Sequence, residues 1–399
     1  MIQRNKRDRV TGRPVLNRGA ATQKENLVRL VILTSFVLAF VVLGVTVGLK
    51  HTPDADETRY HLPATVQYMQ QFPHLDLRDY KSASGPLPYI LLSFWARVFG
   101  ANVVSLRVAI MLFGMLTLLV VWAFLNEEKL KTQILITFFI LLHPYFLFRS
   151  FSLYTVVPAL FFGLLSLLLF KRYQASHLRP FLLIIYVLCS TAAVLSRQVY
   201  LSYTAGIALF ALASRLPVVR NLVSREFKYS YGSVALMLFP ALVLGLLILH
   251  WGGVTPPRFV GYAYSGLNFA HLDFIFVFLG FWYWPLFLDN LRRVPKWVYV
   301  IAGLVAIHLI WIPLYRVGPT NETLGVIGAT YAWLVGRDLP FLLLKGSQIV
   351  LWLLGVMVFV ILARRREEPY ALISIVHFPI MLSVPLVWER YYFAAFPTV

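Results

Sequence analysis

The sequence predicts an all-α, polytopic transmembrane protein of about 11 spans with a long first extracytoplasmic loop, and three observations predict it. Of the 399 residues 59% are hydrophobic and 13% charged, with a mean hydropathy of +0.73, whereas soluble domains carry about 25% charged residues. Apolar runs long enough to cross roughly 30 Å of hydrocarbon recur along the chain. Lysines and arginines gather in alternate loops between those runs, as the positive-inside rule requires.

Residues 1–26 hold Arg4, Lys6, Arg7, Arg9, Arg13, Arg18 and Lys24 and read as a disordered basic cytoplasmic tail. The rest, 27–399, reads as a single domain, since no fixed-period repeat, low-complexity tract or linker divides it. The first apolar run, 27–49, exceeds a signal-peptide core and has no small-residue cleavage site, so it is a retained span. Further spans are expected at 103–125, 133–148, 154–170, 180–196, 198–213, 231–250, 272–289, 297–315, 339–363 and 370–387, within a range of 10–13 spans. The inside segments then carry Lys129/Lys131, Lys171/Arg172/Arg179, Arg215/Arg220/Arg225/Lys228, Arg292/Arg293/Lys296 and Arg364/Arg365/Arg366. Outside lie 51–102, turns near Arg149 and Arg197, 251–271, 316–338 with the sequon Asn321-Glu322-Thr323, and the end from Trp388. A bacterial cytoplasmic membrane is the expected location ahead of the endoplasmic reticulum, with the active site facing outside or lumen.

The net charge of +19 raises nucleic acid as a partner, but the basic residues form short loop clusters rather than a stripe, so no nucleic acid is expected. The single cysteine, Cys189, excludes an internal disulfide and reads as an inert core thiol.

The first outside loop is the unusual feature. It holds Asp54, Asp56, Glu57, Asp76 and Asp79, five of the chain's 17 acids. Group transfer to a hydroxyl needs a carboxylate to take its proton, and cations to hold a departing phosphate. Cations stand at matching depth: Lys81, Arg107, Arg149, Arg197, Arg258 and Arg390. The plain alternative is that loop acids are merely solvated. Arg197 and Arg390 border apolar spans, where charge is costly and usually paired or functional, though snorkelling to the interface also accounts for them. Asp289 and Asp338 read as interfacial. The stretch 63–72, with Val66 and Met69 among Gln67, Gln70 and Gln71, reads as an amphipathic helix on the membrane surface. His61, His250 and His271 show no HxxxH or HExxH spacing, so no protein-built metal site is expected and a weakly bound divalent cation stays open.

Asp56-Glu57, then His61 and Pro63, directly after a first span, resembles the opening loop of membrane glycosyltransferases of the GT-C fold. Within that superfamily the sequence is most similar to the dolichyl-phosphate-glucose-dependent α-1,2-glucosyltransferase family. Asp79-Tyr80-Lys81-Ser82-Ala83-Ser84-Gly85-Pro86-Leu87-Pro88-Tyr89 keeps the Asp, Lys, hydroxyl residue, one Pro and final Tyr of that family's loop. Tyr154-Thr155, Arg197-Gln198, Trp251-Gly252-Gly253-Val254 and Glu389-Arg390-Tyr391-Tyr392 follow in the family's order. Its Pro-Pro-Gly is replaced by Gly85-Pro86-Leu87-Pro88, and its Thr-Asn after Arg-Gln by Val199-Tyr200. Phe99-Gly100 and Leu106-Arg107 also resemble the bacterial undecaprenyl-phosphate-sugar transferases, which stay open as the second branch.

The resemblance implies Asp56 as general base with Glu57 second, and Arg197, Arg390 and Lys81 on the donor phosphate. It implies His61, Asp79, Tyr89 and Trp251 as substrate-binding residues. The implied partners are a polyprenyl-phosphate-linked sugar donor, a glycan or lipid-linked acceptor and membrane lipids, with no resident cofactor. The rival reading is a transporter or flippase, which would show inverted repeats and midplane charge. The sequence displays no repeat and no evident midplane acid.

Overall fold

The computed structural model describes residues 18–176, 178–216, 229–262, 270–284, 294–310, 325–337, 339–364 and 369–381. Without water a backbone must satisfy its own N–H and C=O groups, which favours helices, and among the described residues every regular element is helical. In chain order they are α1 (Arg18–Thr46), α2 (Leu62–Gln71), α3 (Leu87–Phe99), α4 (Val103–Phe124), α5 (Leu130–Leu142), α6 (Pro144–Arg149), α7 (Val156–Ala175) and α8 (Pro180–Ser196). There follow α9 (Leu201–Ala213), α10 (Tyr231–Trp251), α11 (Ala270–Trp282), α12 (Lys296–Ala306), α13 (Gly325–Val335), α14 (Phe341–Arg364) and α15 (Pro369–Met381).

Five segments among the described residues are long and apolar enough to cross a bilayer: Glu25–Lys50, Val103–Phe124, Val156–Ala175, Tyr231–Trp251 and Phe341–Arg364. Large apolar side chains such as Leu30, Leu38, Leu242 and Leu343 are exposed on them, which fits lipid rather than water as their surroundings. The chain is a multi-pass membrane protein; the expected 11 spans are not established by these five. The expected span 133–148 is instead two short helices broken at His143-Pro144. Proline opens α6, and the His143 side chain accepts from the Tyr145 N–H at 3.3 Å, so α5 cannot continue.

Side-chain ties show that the first seven long helical segments run between the same two ends. At one end Arg29 of α1 donates to the Asn126 carbonyl at 2.9 Å and to Gln133 at 2.8 Å. There too Lys171 of α7 meets Glu127 at 3.1 Å, and Tyr173 meets Ser233 of α10 at 3.3 Å. At the other end His51, Arg107 and Leu153 come together, as do Gln198 and Val254. α1, α4, the α5–α6 pair, α7, α8, α9 and α10 thus alternate. The outside segments expected at 51–102, Arg149, Arg197 and 251 onward share one end, here termed the loop end.

A second apolar core is built from α11 to α15. α11 and α14 cross where glycines remove side chains: a β-carbon on Gly355 would lie 1.7 Å from the Phe276 carbonyl oxygen, and one on Gly280 1.8 Å from that of Leu351. Close backbone approach through small residues is a common way for helices to associate in lipid. Near this crossing Asp273 of α11 accepts from Trp352 Nε1 at 3.2 Å and from His308 Nε2 at 2.8 Å. Trp352 is half way along the 24-residue α14. Asp273, in the first turn of α11, is thus tied by its side chain to α14 and to His308.

The helix expected on the membrane surface is α2, and it packs one face against α3. Its buried face is Ala64, Thr65 and Tyr68; Tyr68 joins Tyr80, Tyr89 and Trp251 in a small core under the loop.

Candidate active site

The acids sit where the chain leaves α1 and starts a new helix. Asp54 and Glu57 form a reciprocal capping box: the Glu57 N–H donates to Asp54 Oδ1 at 2.9 Å and the Asp54 N–H to Glu57 Oε2 at 3.0 Å. Two otherwise orphaned donors are satisfied, which fixes the backbone on either side of Asp56. A π-helical turn, Glu57–His61, follows; such wider turns are frequent at functional sites.

Glu57 is fully buried and accepts four hydrogen bonds. Arg107 supplies two, Nε to Oε1 at 2.9 Å and Nη2 to Oε2 at 2.6 Å. The Leu153 N–H gives a third at 2.7 Å and the Asp54 N–H the fourth. Arg107, only 1% exposed, also donates to the His51 carbonyl at 2.7 Å. This pair ties the end of α1, the start of α4 and the α6–α7 turn into one body. The second base expected from the sequence, Glu57, thus has its oxygens engaged in holding the loop, and Arg107 is engaged with it rather than presented to a phosphate.

Asp54 and Asp56 converge on one hydroxyl. Tyr154 O lies 2.9 Å from Asp54 Oδ2 and 3.1 Å from Asp56 Oδ2. A phenol has one proton, so it can donate to only one carboxylate at a time. Asp54 is the one built to stay ionised. Burial opposes its charge, but the Glu57 N–H, the Tyr154 hydroxyl, Arg149 and His61 outweigh that and hold its carboxyl below the ordinary range. Arg149 reaches Asp54 Oδ2 at 3.3 Å while its guanidinium lies 3.7 Å above the Tyr154 ring.

Behind the acids runs a line of hydroxyls. His61 Nδ1 is 2.7 Å from Tyr89 OH, which is 2.6 Å from Ser82 Oγ; Thr155 Oγ1 donates to Ser84 at 3.2 Å. Burial pushes the Tyr89 phenol up; Ser82, Ser84 and the Arg197 charge draw it down, and Asp56 opposes them. Arg197 and Asp56 therefore flank the same phenol. The loop reaches this position because Gly85 lies against the end of α8, where a β-carbon would come 2.0 Å from the Leu195 carbonyl oxygen.

The structure brings Asp56, Glu57, His61, Tyr89 and Arg197 together. It gives Trp251 a supporting place, its Nε1 donating to the Leu77 carbonyl at 2.7 Å. Lys81 and Asp79 are exposed, and the Asp79 carbonyl accepts from Gln67 at 2.6 Å. Arg390, Asp289, Asp338 and the sequon at 321–323 lie outside the described residues. A groove of about 630 Å³ opens beside the loop, walled by Val45, Leu49, Val103 and Val104 and rimmed by Lys50 and His51. Among the described residues no three His, Cys, Asp or Glu side chains gather as a metal site.

No protein-family model matches the chain, and no curated protein does. Among solved structures it is similar to the apo form of the Archaeoglobus fulgidus oligosaccharyltransferase, at 13% identity and a TM-score of 0.42. The match covers 93% of this chain and 56% of that one, so the chain spans little more than half the length of that protein. What the site can do is read from its own geometry.

The sequence reading named Tyr154 only within a family motif and Asp54 and Glu57 only as loop acids, and it missed the Asp54–Glu57 box and the contact of Tyr154 with the acids. The box was legible, as an acid three residues ahead of a glutamate at a helix start. Tyr154 was not, because its partners lie about 100 positions away in the chain.

Proposed function

We propose that this chain is a GT-C-type glycosyltransferase that moves a hexose, glucose first, from a polyprenyl-phosphate donor to a glycan or lipid-linked acceptor at its loop end. The observation that carries the proposal is the convergence of Asp54 and Asp56 on Tyr154, beside the Tyr89 phenol that Arg197 also flanks. The acceptor hydroxyl donates its proton to Asp56 as its oxygen bonds to the anomeric carbon. The bond from that carbon to the phosphate oxygen breaks, and the lipid phosphate leaves with the electron pair. Direct displacement inverts the anomeric centre.

Asp54, held by Arg149 and by the Tyr154 hydroxyl, positions that hydroxyl beside Asp56. Glu57 acts as a positioning residue rather than as the second base. Arg197 neutralises the departing phosphate, with Lys81 and Arg390 as further cations, and the groove between α1 and α4 offers an apolar bed for a lipid chain. The loop end faces the non-cytoplasmic side, since lysines and arginines gather at the other.

The test is incubation of the purified protein with a panel of radiolabelled polyprenyl-phosphate sugars. Consumption of one donor with release of the polyprenyl phosphate supports transfer. The Asp273–His308 pair, part-exposed beside the α11–α14 crossing, favours a second reading, transport, because ionisable side chains within membrane segments often mark polar pathways. Flux of a solute with no donor consumed would establish that reading instead.

A further inference from the structure

α3 is apolar on its exposed side as well as on its buried one. It holds no acid and one cation, Arg97, in 13 residues. Such a helix covers only about 20 Å, too short to cross roughly 30 Å of hydrocarbon. One face is used inside the protein, where Tyr89, Leu92, Ser93 and Ala96 are buried. Away from it stand Phe94, Val98 and Phe99, which are 44%, 74% and 57% exposed, and the exposed Phe72 ring lies 5.0 Å from that of Phe94. A contiguous apolar face of this kind calls for an apolar neighbour.

Two hydrogen bonds set the depth of that face. Ser105, in the first turn of α4, donates to the Phe99 carbonyl at 3.1 Å, and its oxygen accepts from Trp95 Nε1 at 3.1 Å. The last turn of α3 is therefore level with the first turn of α4, which is long and apolar enough to span the bilayer. Val104, next to Ser105 on that span, is exposed too, so the lipid-facing surface of α4 begins where α3 ends. Trp95 stands at the level where tryptophan gathers, the membrane–water boundary. Arg97 lies 4.5 Å over the Phe72 ring and donates to the Met69 carbonyl at 2.7 Å. Its charge is thereby drawn toward α2, as long cationic side chains bend at an interface.

We propose that the face of α3 carrying Phe94, Val98 and Phe99 lies in the headgroup–acyl boundary of the leaflet at the loop end, so that phospholipid anchors the acid loop alongside the helix bundle. The inference stands whether or not the chain transfers sugar. Fluorescence quenching tests it on the purified full chain in phosphatidylcholine vesicles, with Val98→Cys in a Cys189→Ala background carrying a bimane label. Phosphatidylcholine brominated near the top of its acyl chains should quench that label, and iodide admitted to both sides of the membrane should barely do so. The same label on Gln70→Cys, an exposed position of α2, should show the opposite pattern. Quenching of the label at position 98 by iodide as strong as at position 70 overturns the proposal, because the face would then lie in water. Shielding from both quenchers also overturns it, since a protein surface, such as a second copy of this chain, would then cover the face. Should Val98→Cys not fold, Phe94→Cys decides by the same two quenchers.

Discussion

Two carboxylates three positions apart have opposite tasks here, and their partners decide which is which. Glu57 shares a buried ion pair with Arg107, so Arg107→Met leaves an uncompensated charge and should cost about 3–5 kcal/mol. Thermal unfolding of the purified variant measures this, and adding Glu57→Met should recover much of the loss. Asp54 has a folded pKa below its ordinary value of 3.8. Its stabilising contribution is therefore present in full above that value and fades as pH falls through the lower folded pKa. The melting-temperature gap between wild type and Asp54→Asn should thus be constant through neutral and mildly acid pH and close in strong acid. A gap that widens on acidification contradicts the assignment. The acids themselves were legible because they cluster within four positions of the chain. Their division of labour was not, since Arg107 lies 50 residues from Glu57 and Tyr154 farther still, and pairing across that distance leaves no local pattern.

Helix by helix, apolar length and start signals located most of the elements, while what covers each face had to come from packing. α2 shows why: its spacing marks an apolar side, but lipid and the neighbouring α3 are equally apolar, so periodicity cannot tell them apart. The α5–α6 break follows from Pro144, which the span reading passed over because the hydropathy stays high through it. Gly85 is the element-level hinge of the site. Gly85→Val should force the loop off the end of α8, separating Tyr89 from Arg197. Turnover should fall at least about tenfold, because a misplacement of about 1 Å can cost that much or more, while the melting temperature of the bundle shifts little. Turnover and melting curves on the same preparation check both halves of the expectation.

Across the molecule, the alternation of Lys/Arg-rich loops foretold which segments share an end, and the ties from Arg29 to Gln133 and from Arg107 to Glu57 place them so. Long-range charge bias survives in composition; the second core around the Gly280–Gly355 crossing does not, since it depends on backbone approach. In a Cys189→Ala background, a cysteine at position 70 should react with an impermeant thiol reagent added from outside, and one at position 176 should not; the reverse pattern inverts the orientation. The measurement that bears most directly on the transferase reading is turnover of the polyprenyl-phosphate sugar by Asp56→Asn. An amide keeps the shape of the carboxylate and loses its basicity, so the rate should fall by about 10²–10⁴ with donor binding nearly unchanged, while Asp76→Asn, on the exposed turn where its carboxylate accepts from the Arg78 N–H at 2.8 Å, stays near wild type. Normal turnover by Asp56→Asn would contradict the account, because no base would then reside at the point where Asp54, Asp56 and Tyr154 meet.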